Sequence, residues 1–263
     1  AAVTLRSVYR HDQQLAVDLF QRLSDSHEAL WATRPFEEFL SLATRTHLAE
    51  IRPILAQMLR SDHLNVQSAG GRQSALAFLG DPSAAALVDA ALNGSAAARV
   101  GVAEVAAHNV AQRDVSDVCV TWLERLFHDP EQEVRQEASR WVRRVGPAGL
   151  RDLGELALEF VASPAYRDDE FGLLHALDES TVPVTDTALA ALTVFVEERA
   201  DEMGNFQRRA ALSAMTASKL AVRAYTSATS HESREAALDV IDALLAAKVS
   251  EMRSFVEAFD ESA

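Results

Sequence analysis

Helical segments with the same apolar pattern recur along this chain about every 34 residues, and this recurrence constrains the fold more than any single residue does. The clearest copy covers residues 129–138, where a polar Asp-Pro turn opens a helix whose apolar positions continue at Trp141 and Val145. Each such unit cannot bury its apolar side alone and must stack on its neighbours, so we predict a helical solenoid. A solenoid presents an extended surface more readily than a pocket. Taken as equivalent, the key apolar positions are separated by steps of 36, 32, 36, 37 and 35 residues; they are Leu30, Val66, Ala98, Val134, Phe171 and Phe206.

The individual helices are predicted from apolar residues spaced at i, i+3, i+4 and i+7, with Gly, Pro, Asp and Ser marking the helix ends. Short connections make neighbouring helices run roughly antiparallel, so pairs of helices stack on pairs. The predicted fold is an all-α, right-handed solenoid of about six helix pairs over residues 26–226, closed by a capping pair over residues 227–263, in a single domain spanning residues 1–263. The predicted helices cover residues 12–24, 35–45, 47–60, 64–79, 83–93, 96–112, 115–128, 131–145, 148–162, 167–179, 185–202, 204–226, 231–247 and 249–259.

The pattern Asp-Pro-x-x-x-Val-Arg-x-x-Ala over residues 129–138 resembles the turn and second helix of HEAT repeats, within the HEAT and armadillo class of helical repeats. Weaker copies cover most of residues 26–226, although most of them lack the Val-Arg pair. This resemblance implies a scaffold that binds proteins. In general character the chain is also similar to the C-terminal sensor or regulatory arms of large bacterial signalling NTPases. Because the chain opens Ala1-Ala2-Val3-Thr4 without an initiator methionine, we expect it to be a module of a longer polypeptide.

The charge distribution argues against a nucleic-acid partner. The formal net charge is −14, and the excess lies mostly in one half: 15 basic against 18 acidic residues over 1–150, and 10 against 21 over 151–263. A protein that binds nucleic acid has to neutralise phosphates with Lys and Arg.

The single cysteine, Cys119, permits no disulfide within the chain, and no apolar run reaches the about 18 residues of a membrane span. These features predict a cytoplasmic protein.

The dipeptide Gly70-Gly71, followed by Arg72, is the strongest local anomaly, because each glycine inside a helix costs about 1 kcal/mol relative to alanine. Two interpretations stay open. Backbone exposed at the glycines, with Arg72 beside it, could contact a partner. Alternatively, the glycines could permit a close approach of two helices or a kink.

A basic cluster follows the Asp129-Pro130 turn. Arg140, Arg143 and Arg144 fall at i, i+3 and i+4 and therefore share one face of the predicted helix, with Trp141 nearby. Guanidinium groups suit carboxylate and phosphate recognition, so these four residues are candidates for partner binding. The alternative is a solvated helix face close to a C-terminus, where cations are favoured by the helix dipole.

No catalytic, cofactor-binding or metal-binding residue is predicted. Residues 168–170 are three acidic residues in succession, but they point around a helix start and most simply cap it, while His175 with Glu179 supplies at most two ligands. Nothing in the sequence brings His108 next to the Cys119 thiol. His108 is retained only as a candidate for partner binding.

The leading hypothesis is a noncatalytic scaffold that binds a protein partner or another domain of the same polypeptide. The alternative is an enzyme similar to the HEAT-like DNA glycosylases that remove alkylated bases, which use a basic groove with aromatic residues. Trp31, Trp122 and Trp141, with the arginines around residue 140, could serve in such a groove. The acidic second half of the chain argues against that alternative.

Overall fold

The computed structural model describes residues 2–24, 28–180, 185–203, 209–249 and 252–253. Within these ranges all regular secondary structure is helical, which confirms the all-α prediction. No described helix is both long enough and apolar enough to cross a bilayer. The α-helices are α1 (Ala2–His11), α2 (Gln13–Ser24), α3 (Arg34–Ala43), α4 (Leu48–Met58), α5 (Leu64–Gly80), α6 (Ala85–Leu92), α7 (Ala96–Asn109), α8 (Ser116–Phe127), α9 (Gln132–Ser139), α10 (Trp141–Gly149), α11 (Gly154–Ala162), α12 (Pro164–Asp168), α13 (Glu170–Glu179), α14 (Thr185–Met203), α15 (Arg209–Ser227) and α16 (His231–Ala246).

The predicted helix boundaries agree with the structure to within a few residues at most positions. Three differences stand out: α1 was absent from the prediction, α12 is a separate short helix, and the helix predicted over 131–145 is interrupted at Arg140. Gly146 has φ 66°, a left-handed conformation that glycine adopts readily, and it ends the regular part of α10 before Pro147. Phe206 and most of the predicted helix 249–259 lie outside the described residues.

The chain divides into two compact units, Ala1–Ala138 and Ser139–Ala263, where the sequence had indicated a single repeat domain. In the first unit, alternate helices contact each other in two series. The first series is α1, α3, α5 and α7, and the second series is α2, α4 and α6. In the second unit, α10, α13 and α15 form one such series, and α11, α14 and α16 form another.

Polar contacts within each unit join positions about one predicted repeat apart. Arg72 pairs with Glu37 and with Glu104, which are 35 and 32 positions away along the chain. In the second unit, Arg167 pairs with Glu198 at a separation of 31 positions. Ion pairs in both units therefore join residues that lie 31 to 35 positions apart along the chain.

An ion pair of this kind holds the Asp129-Pro130 turn. Asp129 is buried and receives a two-pronged ion pair from Arg99, with distances of 2.6 Å from Nε to Oδ2 and 3.0 Å from Nη2 to Oδ1. The same carboxylate accepts a hydrogen bond from the backbone N–H of Glu131, while Arg135 donates to the carbonyl oxygens of Asp129 and Pro130. The motif thus closes its own turn and binds Arg99 of α7.

Candidate functional site

Helices α5 and α7 contact each other through their backbones. A methyl group added at Gly71 would overlap the carbonyl oxygen of Ala98, and one added at Gly101 would overlap the carbonyl oxygen of Ser68. Gly70 faces α4, where an added Cβ would lie 2.9 Å from the Cβ of Met58. All three glycines are buried. The hypothesis that Gly70 and Gly71 expose backbone to a partner is therefore wrong, and the alternative of close helix packing is correct.

Arg72 joins three helices of the first series. Its Nε donates to Glu104 of α7 at 2.8 Å, and its Nη1 donates to Glu37 of α3. Burial alone would lower the pKa of Arg72, but the hydrogen bonds and charges of the two carboxylates outweigh this effect and raise the pKa above its ordinary value. The Arg72 side chain is 27% exposed. It is thus a fixed charge at the surface of the series, already engaged with two acidic partners.

Partly exposed residues form a stripe along each of α5 and α7. On α5 the stripe comprises Ser68, Arg72, Leu76 and Leu79, and on α7 it comprises Ala97, Val100, Glu104 and the exposed His108. The spacings of three and four residues place each stripe on one side of its helix. Because Arg72 bonds Glu104, the two stripes lie side by side. This surface of the first series carries the partner-binding candidates Arg72 and His108.

An open groove of about 500 Å³ lies where α3, α5 and α7 end. Its lining is part apolar and part polar. Sequence reasoning did not find it, because the three helix ends lie about 30 or more positions apart along the chain. The groove is lined by Ser41, Thr44, Arg45, Leu76, Ala77, Leu79, Gly80, Asp81, Asn109, Gln112 and Val115.

Local chemistry explains why each of the three helices ends at the groove. The Thr44 hydroxyl donates to the carbonyl of Leu40 at 2.9 Å, which closes the last turn of α3. Pro82 cannot continue α5, and Asp81 turns away to accept the backbone N–H of Ser83 at 2.9 Å. The Gln112 side chain donates to Asn109 Oδ1 at 2.6 Å and so binds the loop after α7 to the helix end. The groove walls are thus held by hydrogen bonds within each helix end.

The groove lining carries one formal charge of each sign, from Asp81 and Arg45. The ends of α3, α5 and α7 contribute lining residues, but several of their last carbonyl oxygens already accept hydrogen bonds; they include those of Leu40, Ala43 and Asn109. Asp81 adds a formal charge: hydrogen bonds from the backbone and side chain of Ser83, with a smaller effect of the Arg52 charge, lower the pKa of its carboxyl, so it stays ionised at neutral pH. Among the described lining residues, Arg45 is the one cation, and it is exposed.

In the second unit, the basic cluster is placed on the surface as the sequence suggested, but Trp141 is not. Arg140, Arg143 and Arg144 are exposed, and the backbone N–H of Arg144 donates to the carbonyl of Arg140. Arg143 pairs with Asp169 at 3.1 Å. Trp141 is fully buried and meets Phe160 edge to face, with ring centroids 6.1 Å apart. As a direct contact to a partner, Trp141 is therefore a wrong assignment, because its indole lies in the core.

The acidic segment 168–170 is engaged in ion pairs: Asp169 holds Arg143, and buried Glu170 lies 3.5 Å from Arg199. In the part of the chain that the structure describes, no three His, Cys, Asp or Glu side chains form a group that could hold a metal ion. Cys119 is buried, which raises the pKa of its thiol to about 12. A protonated thiol without solvent access cannot act as a nucleophile.

The three tryptophans offered for a base-binding groove are all buried. Their exposed fractions are 2% for Trp31, 6% for Trp122 and 0% for Trp141. None of these rings has a face open for stacking on a base. The glycosylase-like alternative therefore loses the aromatic part of its proposed site.

Comparison of the chain with models of protein families, with curated proteins and with solved structures returned no match.

Proposed function

We propose that this chain is a noncatalytic helical-repeat module of the HEAT and armadillo type, which binds a protein partner or another domain of a longer polypeptide. The binding surface is the exposed side of the first series, formed by α3, α5 and α7. The observation that carries the proposal is the groove of about 500 Å³ in which three successive helices of this series converge. Surfaces assembled from successive repeats are the ones that such proteins use for recognition.

Two features support the repeat arrangement. Alternate helices contact each other within each unit, as stacked helix pairs require. In addition, ion pairs such as Arg72–Glu104 and Arg99–Asp129 join positions 32 and 30 residues apart, close to the repeat spacing in the sequence. These contacts favour a solenoid of helix pairs, and a protein-binding role follows from the extended surface that a solenoid presents.

The exposed stripes of α5 and α7 are suited to a protein partner. Ala97 and Val100 present compact apolar side chains on α7, Leu76 and Leu79 add apolar area at the groove, and the Arg72 ion pairs supply fixed charges. Apolar contact area within a polar rim is the usual composition of a specific interface. We place the module in the cytoplasm, where a single buried thiol such as Cys119 stays reduced.

Photo-crosslinking tests the assignment of the surface. p-Benzoyl-phenylalanine is introduced at Ala97 on α7 of the first series, or at Ala86 on α6 of the second series, in the full-length protein in its own cells. Both positions are accessible alanines close to the start of a helix in the same unit, which makes them a matched pair. We expect a discrete adduct from Ala97 and none from Ala86. Adducts from Ala86 alone, or equal adducts from both positions, would refute the proposed surface.

A further inference from the structure

We propose that the exposed arginines of α10, with the adjoining part of α13, bind an acidic segment of a second protein. The side chains that form this arginine surface are those of Arg140, Arg143, Arg144, Phe171 and His175, all in the unit Ser139–Ala263. The arginine surface belongs to a different unit from the surface of α3, α5 and α7, and its role does not depend on that surface.

The charge of this segment is opposite to that of the rest of its unit. Residues 139–151 contain four arginines and no acidic residue, whereas residues 152–263 contain nine basic and 21 acidic residues. At 0.15 M ionic strength, exposed charges interact over about 8 Å. A short acidic segment therefore responds mainly to the arginines that it touches. A nucleic acid extends further and is repelled by the acidic remainder.

The helix dipole does not account for the arginines. Arg140 precedes α10 and Gly146 ends its regular part, so Arg143 and Arg144 belong to the first and the last turn of a one-turn helix at once. The opposite partial charges at the two ends of so short a helix leave no preference for a cation. A position near a helix C-terminus, which the sequence offered as the alternative, therefore does not explain the cluster.

Two of the arginines keep guanidinium groups open to solvent. Arg143 donates from Nη2 to Asp169 at 3.1 Å, yet its side chain is 61% exposed and its other N–H groups remain for further acceptors. Arg144 is exposed, and its side chain forms no ion pair or hydrogen bond within the described part of the chain. Adjacent guanidinium groups of this kind can bind carboxylates with paired hydrogen bonds.

Helix α13 extends the surface with two stacked rings. The rings of Phe171 and His175 are nearly parallel, at an angle of 7° with centroids 5.6 Å apart, and the His175 side chain is 52% exposed. Gly172 connects this pair with the arginines, because a Cβ added there would lie 3.9 Å from Nε of Arg143. Gly172 and His175 are three positions apart and lie on the same side of α13. The arginines therefore adjoin an aromatic surface.

The combination of arginines and rings indicates the composition of the partner. Arginine and aromatic residues are enriched at the centres of protein interfaces, where they contribute most of the binding energy. Carboxylates of the partner would pair with the guanidinium groups, and apolar side chains would pack on the rings. We therefore expect an acidic segment that also carries apolar residues.

The contact between Arg143 and Asp169 provides a test by the sign of its effect. An acidic segment competes with Asp169 for Arg143, so Asp169→Asn should tighten binding of that segment. A basic segment would lose a carboxylate partner, and the same substitution would weaken its binding. Asp239→Asn, at an exposed position on α16, changes the net charge equally and serves as the control.

Binding is measured by fluorescence anisotropy on the full chain at about 0.15 M ionic strength. Three labelled peptides with blocked ends serve as probes: one alternates leucine with glutamate, one serine with glutamate, and one leucine with lysine. A single-stranded oligonucleotide of similar length is the fourth probe. Circular dichroism melts show whether each variant is folded.

We expect the leucine–glutamate peptide to bind most tightly. Arg144→Glu should weaken its affinity about five- to tenfold, whereas Lys219→Glu, which reverses an exposed cation on α15, should change it by less than about twofold. Asp169→Asn should tighten binding about two- to fivefold, and Asp239→Asn should change it less. Because Arg144 has no side-chain partner among the described residues, its variant tests the surface even if Asp169→Asn lowers stability.

Four results would overturn the inference: no binding of the leucine–glutamate peptide, equal effects of Arg144→Glu and Lys219→Glu, tighter binding of the lysine peptide, or tighter binding of the oligonucleotide. Equal affinities for the leucine–glutamate and serine–glutamate peptides would remove Phe171 and His175 from the surface. None of these results bears on the crosslink from Ala97, so the two surfaces are tested separately.

Discussion

Helices of the two units pack on their neighbours by different means. In the first unit, α5 and α7 approach until backbone touches backbone, which Gly71 and Gly101 make possible. In the second unit, α10 contacts its neighbours through side chains: Trp141 lies against Phe160 of α11, and Arg143 reaches Asp169 just before α13. Helix contacts in the two units therefore do not share one packing mechanism. The backbone contact tolerates no added atom, whereas the side-chain contact can relax around a substitution.

Gly71→Ala should have the largest effect on stability, and it tests the backbone contact between α5 and α7. The added methyl would overlap the Ala98 carbonyl, which is backbone and cannot rotate away, so we expect a loss of about 3 kcal/mol or more in the free energy of unfolding. Gly80→Ala is the control, since an added Cβ there meets no atom within 4 Å and alanine favours the helix by up to about 1 kcal/mol. Urea titration followed by circular dichroism measures both. Similar midpoints for the two variants would show that α5 and α7 are not in backbone contact.

In the second unit, Trp141→Ala should have an effect nearly as large. Removal of a fully buried indole leaves a cavity, and such truncations cost about 3–5 kcal/mol. Trp141→Phe retains part of the edge-to-face contact with Phe160 and should lose about half as much. The same urea titration compares them. A Trp141→Ala protein as stable as the parent would place the indole at the surface and restore its role as a partner contact.

Loss of the more buried arginine contact should lower the free energy of unfolding more than loss of the more exposed one. Arg72→Gln leaves Glu37 and Glu104 without their cation in a partly buried site and should cost about 1–2 kcal/mol. Arg143→Gln removes an ion pair whose arginine is 61% exposed, and should cost less than about 1 kcal/mol. Thermal melts at two salt concentrations measure both losses. A larger loss for Arg143→Gln than for Arg72→Gln would contradict the assignment.

The ion pair of Arg143 also changes what its charge reversal can test. If Arg143 only contacted a partner, Arg143→Glu would weaken partner binding more than it lowers the melting temperature. In the structure this substitution sets two carboxylates together at Asp169, so stability should fall as well. Arg144→Glu is the better test of the basic cluster, because Arg144 is exposed on the neighbouring position of the same helix.

The smallest expected effect concerns Cys119. Burial raises the pKa of its thiol to about 12 from an unperturbed 9.0. Between these two pH values the folded protein keeps the thiol proton, whereas the unfolded chain releases it. The contribution of Cys119 to stability is therefore complete below about pH 9 and declines as the pH rises from there toward 12. At about pH 8, below both pKa values, a thiol-specific disulfide reagent should label the native protein only as fast as it opens. Immediate labelling without urea would show that Cys119 is exposed.

Sequence reasoning was most accurate where the cause lies within one helix or one turn. The apolar spacing placed α5, α7 and α8 to within a few residues, and Pro82 and Pro130 marked helix ends correctly, because proline acts on its own backbone. Gly146 was likewise predicted as a boundary, and the structure shows it with a left-handed backbone. The interruption at Arg140 was missed, since the apolar pattern runs on through it.

The Gly70-Gly71 pair shows where such reasoning stops. The sequence marked the two glycines as unusual but left both interpretations open, contact with a partner and close helix packing. The α7 helix that approaches Gly71 is a separate segment further along the chain, so the sequence around Gly71 does not reveal it. Gly101, on the other side of the same contact, was not predicted as a packing residue, since a single glycine in a helix gives no sign of what it faces. The groove was missed for the same reason: its lining is contributed by three separate helix ends.

By itself, the sequence determined the all-helical class and the places where most helices begin and end. These follow from backbone preferences and apolar periodicity, which act over a few residues. Only the tertiary structure decided that Gly71 is a packing residue, that Trp141 belongs to the core and that a groove opens beside Asp81. Each of these depends on which distant segments become neighbours, and burial and shape are properties of that assembly, not of any one segment.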